Sequence, residues 1–86
     1  MHSEVYVSVV EQLHVHLAEQ NQDLKIDGNT DLQNELGFDS LRLATVATDL
    51  HARMEFDLQY FAENLGEIRL VSDLVRIVEE ALTQKN

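Results

Sequence analysis

Between Tyr6 and Leu17 the apolar residues Tyr6, Val9, Val10, Leu13 and Leu17 recur at three- and four-residue intervals, which places them on one face of a helix. Ser3 suits the N-cap, so the spacing predicts a first helix running to about Gln20. A second stripe of Leu43, Val46, Ala47, Leu50 and Met54 predicts a helix to about Glu55, with Asp39 or Ser40 as its cap. Leu41 falls on the opposite side of that helix, beside Thr45, Thr48 and Ala52, with Ala44 and Arg42 flanking it. An apolar residue off the stripe is a candidate contact for another molecule, although scattered surface leucines are common. A short helix is expected over Tyr60–Leu65, closed by Gly66 as its C-terminal cap. Ser72 then caps a last helix that has Asp73 in its first turn and Leu74, Ile77, Val78, Ala81 and Leu82 on its inner face.

Residues 21–39 break this periodicity. Asn21, Asp23, Asp27, Gly28, Asn29, Thr30, Asp31, Asn34, Gly37 and Asp39 are turn and cap residues, so the segment is read as a long loop. Leu24, Ile26, Leu32, Leu36 and Phe38 punctuate it, and several of them should pin it to the core. Proline is absent and only three glycines occur, so helices can run uninterrupted. The expected fold is all-α: a small four-helix bundle of three long helices and one short, with a long loop between helices one and two. At 86 residues, positions 1–86 are expected to form a single domain with a modest core.

Charge narrows the function. The net charge is −10, from 16 acidic and 6 basic residues. Residues 1–39 hold 8 acids and 1 base (net −7), whereas residues 40–86 hold 8 acids and 5 bases (net −3). Phosphate backbones are bound by Lys and Arg, so nucleic acid is not an expected partner; basic protein surfaces are. With no cysteine, any thiol chemistry has to come from an attached group. No apolar run approaches the roughly 20 residues of a membrane span, and no secretion signal is legible, so the cytoplasm is the expected compartment.

The segment Leu36-Gly37-Phe38-Asp39-Ser40-Leu41 carries the candidate chemistry. Alone, a serine at a helix start is more often a plain cap. The position nevertheless suits a phosphate ester, because free backbone N–H groups and the positive end of the helix dipole face an anion there. The serine also stands at the end of a loop, where an enzyme can reach it.

This segment resembles the signature of acyl carrier proteins, in which Leu-Gly-x-Asp-Ser-Leu presents the serine that bears 4'-phosphopantetheine. The resemblance extends over about residues 5–82. Thr30-Asp31-Leu32 is similar to the family's loop sequence, and Val71-Ser72-Asp73-Leu74 to the start of its last helix. Leu50, Met54, Asp57 and Leu58 are similar to the end of its second helix and the residues just after it. The chain departs from the family where Arg42 and Thr45 stand at positions often acidic, Gln59 where proline is frequent, and Met54 where phenylalanine is frequent. It thus resembles specialised carriers of secondary metabolism at least as well as those of fatty-acid synthesis. Peptidyl carriers often show Gly-Gly before their motif, whereas Leu36-Gly37-Phe38 leans towards the acyl type.

The resemblance implies a monomeric carrier that catalyses nothing itself. A phosphopantetheinyl transferase would move the arm from coenzyme A onto Ser40. Loading and using enzymes (a ligase, acyltransferase or ketosynthase) would then exchange acyl groups held on it, in fatty-acid, polyketide or related biosynthesis. Asp39 would help present the serine, and Leu41 and Ala44 match partner-contacting positions. Arg42, on the same exposed flank, would disfavour partners with basic patches. The alternatives are an aminoacyl or peptidyl carrier, or a helical adaptor that never loads.

Other constellations carry less. Asp23, Asp27, Gly28 and Asp31 sit at calcium-loop spacing, but Lys25 and Asn34 occupy ligand positions and Glu35 comes one residue late, so no metal site is expected. His14 and His16 are two residues apart and point in different directions on a helix, which places them at the surface without a shared metal. A hydrolase triad of Ser40, His51 and an aspartate lacks the Gly-x-Ser-x-Gly elbow and room for a substrate pocket.

Overall fold

The structure, a computed structural model, describes residues 4–17 and 23–84. It is a small all-α fold with three long helices and one short one: α1 (Glu4–His16), α2 (Ser40–Met54), α3 (Leu58–Glu63) and α4 (Val71–Leu82). A 3₁₀ turn over Leu65–Glu67 links the last two. Helix α1 packs against α2 and α4, and α3 packs against α2 and α4. Among the described residues no strand forms, and no helix is long and apolar enough to cross a membrane.

The apolar stripes meet in one core. Val9, Leu13 and Leu17 enter it from the α1 side, Leu43, Val46, Ala47 and Leu50 from α2, and Val71, Leu74, Ile77, Val78 and Ala81 from α4. Tyr6, Val10, Met54 and Leu82, expected on the same faces, lie half-buried at its margin. The helical span of α1 stops at His16, short of the expected Gln20; the expected cap Ser3 and residues 18–20 lie outside the described residues.

Two helix starts differ from expectation because the first N–H groups of a helix need acceptors: at α4 carbonyls of the distant loop supply them, and at α3 the local Asp57 side chain does. Helix α4 begins at Val71, so Ser72 is not its cap. The Val71 N–H donates to the Thr30 carbonyl (3.0 Å), and that of Ser72 to Gly28 (2.9 Å). Asp73 reaches back to accept from the N–H groups of Arg69 (3.1 Å) and Leu70 (2.9 Å). Helix α3 begins earlier than expected because the Asp57 carboxylate accepts from the Tyr60 N–H (3.0 Å). Nor does Gly66 cap its end: Asn64 does, its side-chain amide donating to the Tyr60 carbonyl (2.9 Å), while Gly66 sits inside the 3₁₀ turn.

The loop ahead of α2 is held through both its side chains and its backbone. Leu32, Leu36 and Phe38 are fully in the core, Ile26 is half-buried, and Leu24 is exposed. Its backbone pairs with the lead into α4 through the Leu32 N–H and the Arg69 carbonyl (2.9 Å), around a single antiparallel bridge between Asp31 and Leu70. Gly37 turns the chain at φ +75°, a left-handed conformation that a side chain would strain, and aims Phe38 inward. The start of α2 is thereby fixed against the core and the lead into α4. Phe56, between α2 and α3, is also buried and lies edge-on to His51 (5.6 Å, 88°) and near Phe61 (5.9 Å).

Candidate functional site at the start of helix α2

The N-cap of α2 is Asp39. Its backbone is extended (φ −88°, ψ −178°), and Oδ1 accepts from the Arg42 N–H at 2.8 Å. Its carbonyl accepts from the Leu43 N–H at 2.9 Å. Ser40 is therefore the first helical residue, and it is exposed. Among the described residues its hydroxyl makes no hydrogen bond. The N–H groups of Ser40 and Leu41 lie at the same helix end, where the macrodipole is positive. Asp39 takes the structural role, which leaves the Ser40 oxygen open to chemistry.

The residues around Ser40 divide between two openings that share Asp39. Towards α1 lies an open cleft of about 450 Å³ lined by Val15, His16, Leu41, Arg42 and Thr45. Leu41, at 77% exposed, and Val15, at 68%, stand at its edges. Ala44 and Thr45 are exposed further along the same helix. On the other side is a groove of about 270 Å³ running from Ser40 between the loop and the lead into α4, with Leu43 and Ile68 in its walls and Gln33 and Arg69 at its polar edge.

Arg42 has a role that its position in the sequence does not convey. Its Nη1 donates to the carbonyl of His16, the last residue of α1, at 3.0 Å. An arginine here satisfies a terminal carbonyl and meets the negative end of that helix dipole. Its guanidinium also lies 5.9 Å from the centre of the Phe38 ring. His16 Nε2 in turn pairs with the Asp49 carboxylate, 2.7 Å from Oδ2, which ties the end of α1 to the third turn of α2. Arg42 faces the α1 cleft and its hydrogen bond is made within the protein.

The remaining constellations resolve into local structure. Asp27 Oδ1 accepts from the Asn29 N–H (2.9 Å) and the Thr30 hydroxyl (3.3 Å). Asp31 accepts from the N–H groups of Gln33 (3.0 Å) and Asn34 (2.8 Å) and from the Asn34 amide (3.1 Å). The Asn34 N–H above all, with its side-chain amide, the Gln33 N–H and the nearby Arg69 charge, holds the Asp31 carboxyl below its ordinary range against a smaller effect of burial. These carboxylates close turns, and no group of three or more His, Asp or Glu placed to hold a metal occurs among the described residues. His51 lies three turns along α2 from Ser40, roughly 16 Å away by helix rise, so the two cannot act as a triad.

Arg69, Gln33, Leu65 and Ile68 beside Ser40 carry no signal in the sequence, since they come from segments distant along the chain. No protein-family model, curated protein or solved structure matches the chain.

Proposed function

We propose that the protein is an acyl carrier, with 4'-phosphopantetheine attached through a phosphodiester to Ser40. One observation carries the reading: at a helix start where serine ordinarily serves as the cap, Asp39 is the cap and the Ser40 hydroxyl is exposed and unengaged. The motif that resembles the carrier signature thus has its serine in a position a transferase can reach. The residues present fit the group. A phosphate on Ser40 would meet the open N–H groups of the first turn and the positive helix end, and the groove alongside has room for part of a narrow, mixed polar and apolar arm. When bound, the arm supplies the thiol this cysteine-free chain lacks, and holds acyl groups as thioesters.

The chain's own contribution is to anchor, present and expose. Gly37 and the buried Phe38 fix where α2 begins, and the Asp39 cap keeps the first turn closed with Ser40 outward. Leu41, beside the attachment point, offers an apolar contact to a phosphopantetheinyl transferase and to acyl-loading and acyl-using enzymes. The reading includes a monomeric four-helix bundle acting in the cytoplasm and catalysing nothing itself.

Intact mass after incubation with coenzyme A and a broad-specificity transferase tests it. The wild type should gain the mass of one phosphopantetheinyl group, and Ser40→Ala should gain nothing while keeping its helical spectrum. Attachment to the Ser40→Ala variant, modification at another serine, or an unmodified wild type would each overturn the proposal. The last outcome is the one a non-loading adaptor gives. The mass of the protein from its own host then separates acyl from aminoacyl cargo.

A further inference from the structure

Two arginines lie near Ser40, and the structure separates their roles. Arg42 is closer along the chain, but its guanidinium is turned towards α1, bonded to the His16 carbonyl and set against Phe38. Arg69 is distant in sequence and lines the same groove as Ser40. Its backbone is held firmly, with the carbonyl accepting from Leu32 (2.9 Å) and the N–H donating to Asp73 (3.1 Å). Its side chain is 75% exposed and meets Asp31 only at 3.5 Å, through Nε, which leaves the terminal nitrogens for another acceptor. Asp39 and Arg69 are the charged residues lining this groove. Arg69 therefore supplies its positive charge.

We infer that Arg69 is the counter-charge for the phosphodiester on Ser40 and draws the near end of the arm into the groove towards Gln33 and Ile68, away from the α1 cleft. The inference rests on the reading of Ser40 as the attachment site. The phosphorus lies one bond from Oγ, so its position is limited by the Ser40 side chain, whereas a distant acyl group is not confined to this groove. Attachment adds a negative charge beside the Asp39 carboxylate in a protein already at −10, and a fork of guanidinium donors suits two phosphate oxygens. Arg42 lines the cleft on the other side rather than the groove that holds Ser40, with its guanidinium against Phe38 and its Nη1 on a helix-end carbonyl.

A thermodynamic cycle tests the assignment on the full chain. Melting temperatures are measured with and without the arm for wild type, Arg69→Gln, Arg69→Lys and Arg76→Gln, with intact mass confirming each loaded form. The cycle cancels what Arg69 contributes through Asp31 before loading. At low salt the shift caused by the arm should be more favourable in wild type than in Arg69→Gln by roughly 2–5 °C, and this gap should shrink at about 0.5 M salt. Arg69→Lys should keep part of it, and Arg76→Gln all of it, since Arg76 pairs with Asp73 and Glu80 on α4 outside the groove. The phosphorus resonance of the loaded protein should move in Arg69→Gln and stay in place in Arg76→Gln. Loaded proteins with equal arm-induced shifts and equal phosphorus resonances would overturn the role of Arg69 while leaving Ser40 intact. A wild type that takes no arm would overturn the attachment site, and this inference with it.

Discussion

Replacing Asp39 and Ser40 one at a time separates the two roles that adjacent residues hold at the start of α2. Asp39→Ala removes the acceptor 2.8 Å from the Arg42 N–H and the carboxylate at the positive end of the helix. Loss of such a cap costs about 1 kcal/mol, and loss of the charge–dipole interaction about 0.5 kcal/mol more. For a domain of this size about 1.5 kcal/mol corresponds to a fall in melting temperature of roughly 6–12 °C. Ser40→Ala removes an exposed hydroxyl with no partner, so its effect should stay within about 0.5 kcal/mol. Asp39→Asn should fall between them, because asparagine caps as well as aspartate but carries no charge. Thermal melts followed by the helical circular dichroism band measure all three. A Ser40→Ala variant as unstable as Asp39→Ala would refute the cap assignment, and a neutral Asp39→Ala would do the same. In the first case the serine would no longer be free of a structural task.

Two further perturbations probe the supports of the site. Arg42→Gln should cost about 1 kcal/mol by removing the donor to His16 and the cation beside Phe38, and amide exchange at the end of α1 should quicken. Unchanged denaturation and exchange would mean that this contact is not maintained in solution. Asp31→Asn tests the electrostatics of the loop. Because the folded protein holds this carboxyl below its ordinary value, its contribution is present above about pH 4 and is lost as pH falls through the lower folded value. The stability deficit of Asp31→Asn against wild type should therefore be full at neutral pH and close as pH falls below the ordinary carboxylate range. A deficit that does not vary with pH would exclude a charged role.

Much of the local architecture is legible in the order of residues. The stripes on α1, α2 and α4 follow from helical spacing, because a thin core can be made only by turning each apolar face inwards. Asp39 and Ser40 are both legible as helix-start residues, and Leu41 as an outward-facing one, since caps and helix faces depend on neighbours a few positions apart. The choice between Asp39 and Ser40 as the cap requires backbone geometry. So does the start of α4, where loop carbonyls of Gly28 and Thr30 serve the N–H groups at a helix end that the sequence assigns to a Ser72 cap. Phe56 belongs to no stripe, and its burial depends on how α2 and α3 come together around it, where it meets His51 and Phe61. Arg42 and Arg69 show the limit most directly. Position along the chain puts Arg42 beside the candidate serine, but only the packing of α1 turns its charge away, and only the pairing of the loop with the lead into α4 brings Arg69 to the groove. Helical periodicity acts over a few residues, whereas charges around a site are gathered by contacts between segments far apart in sequence.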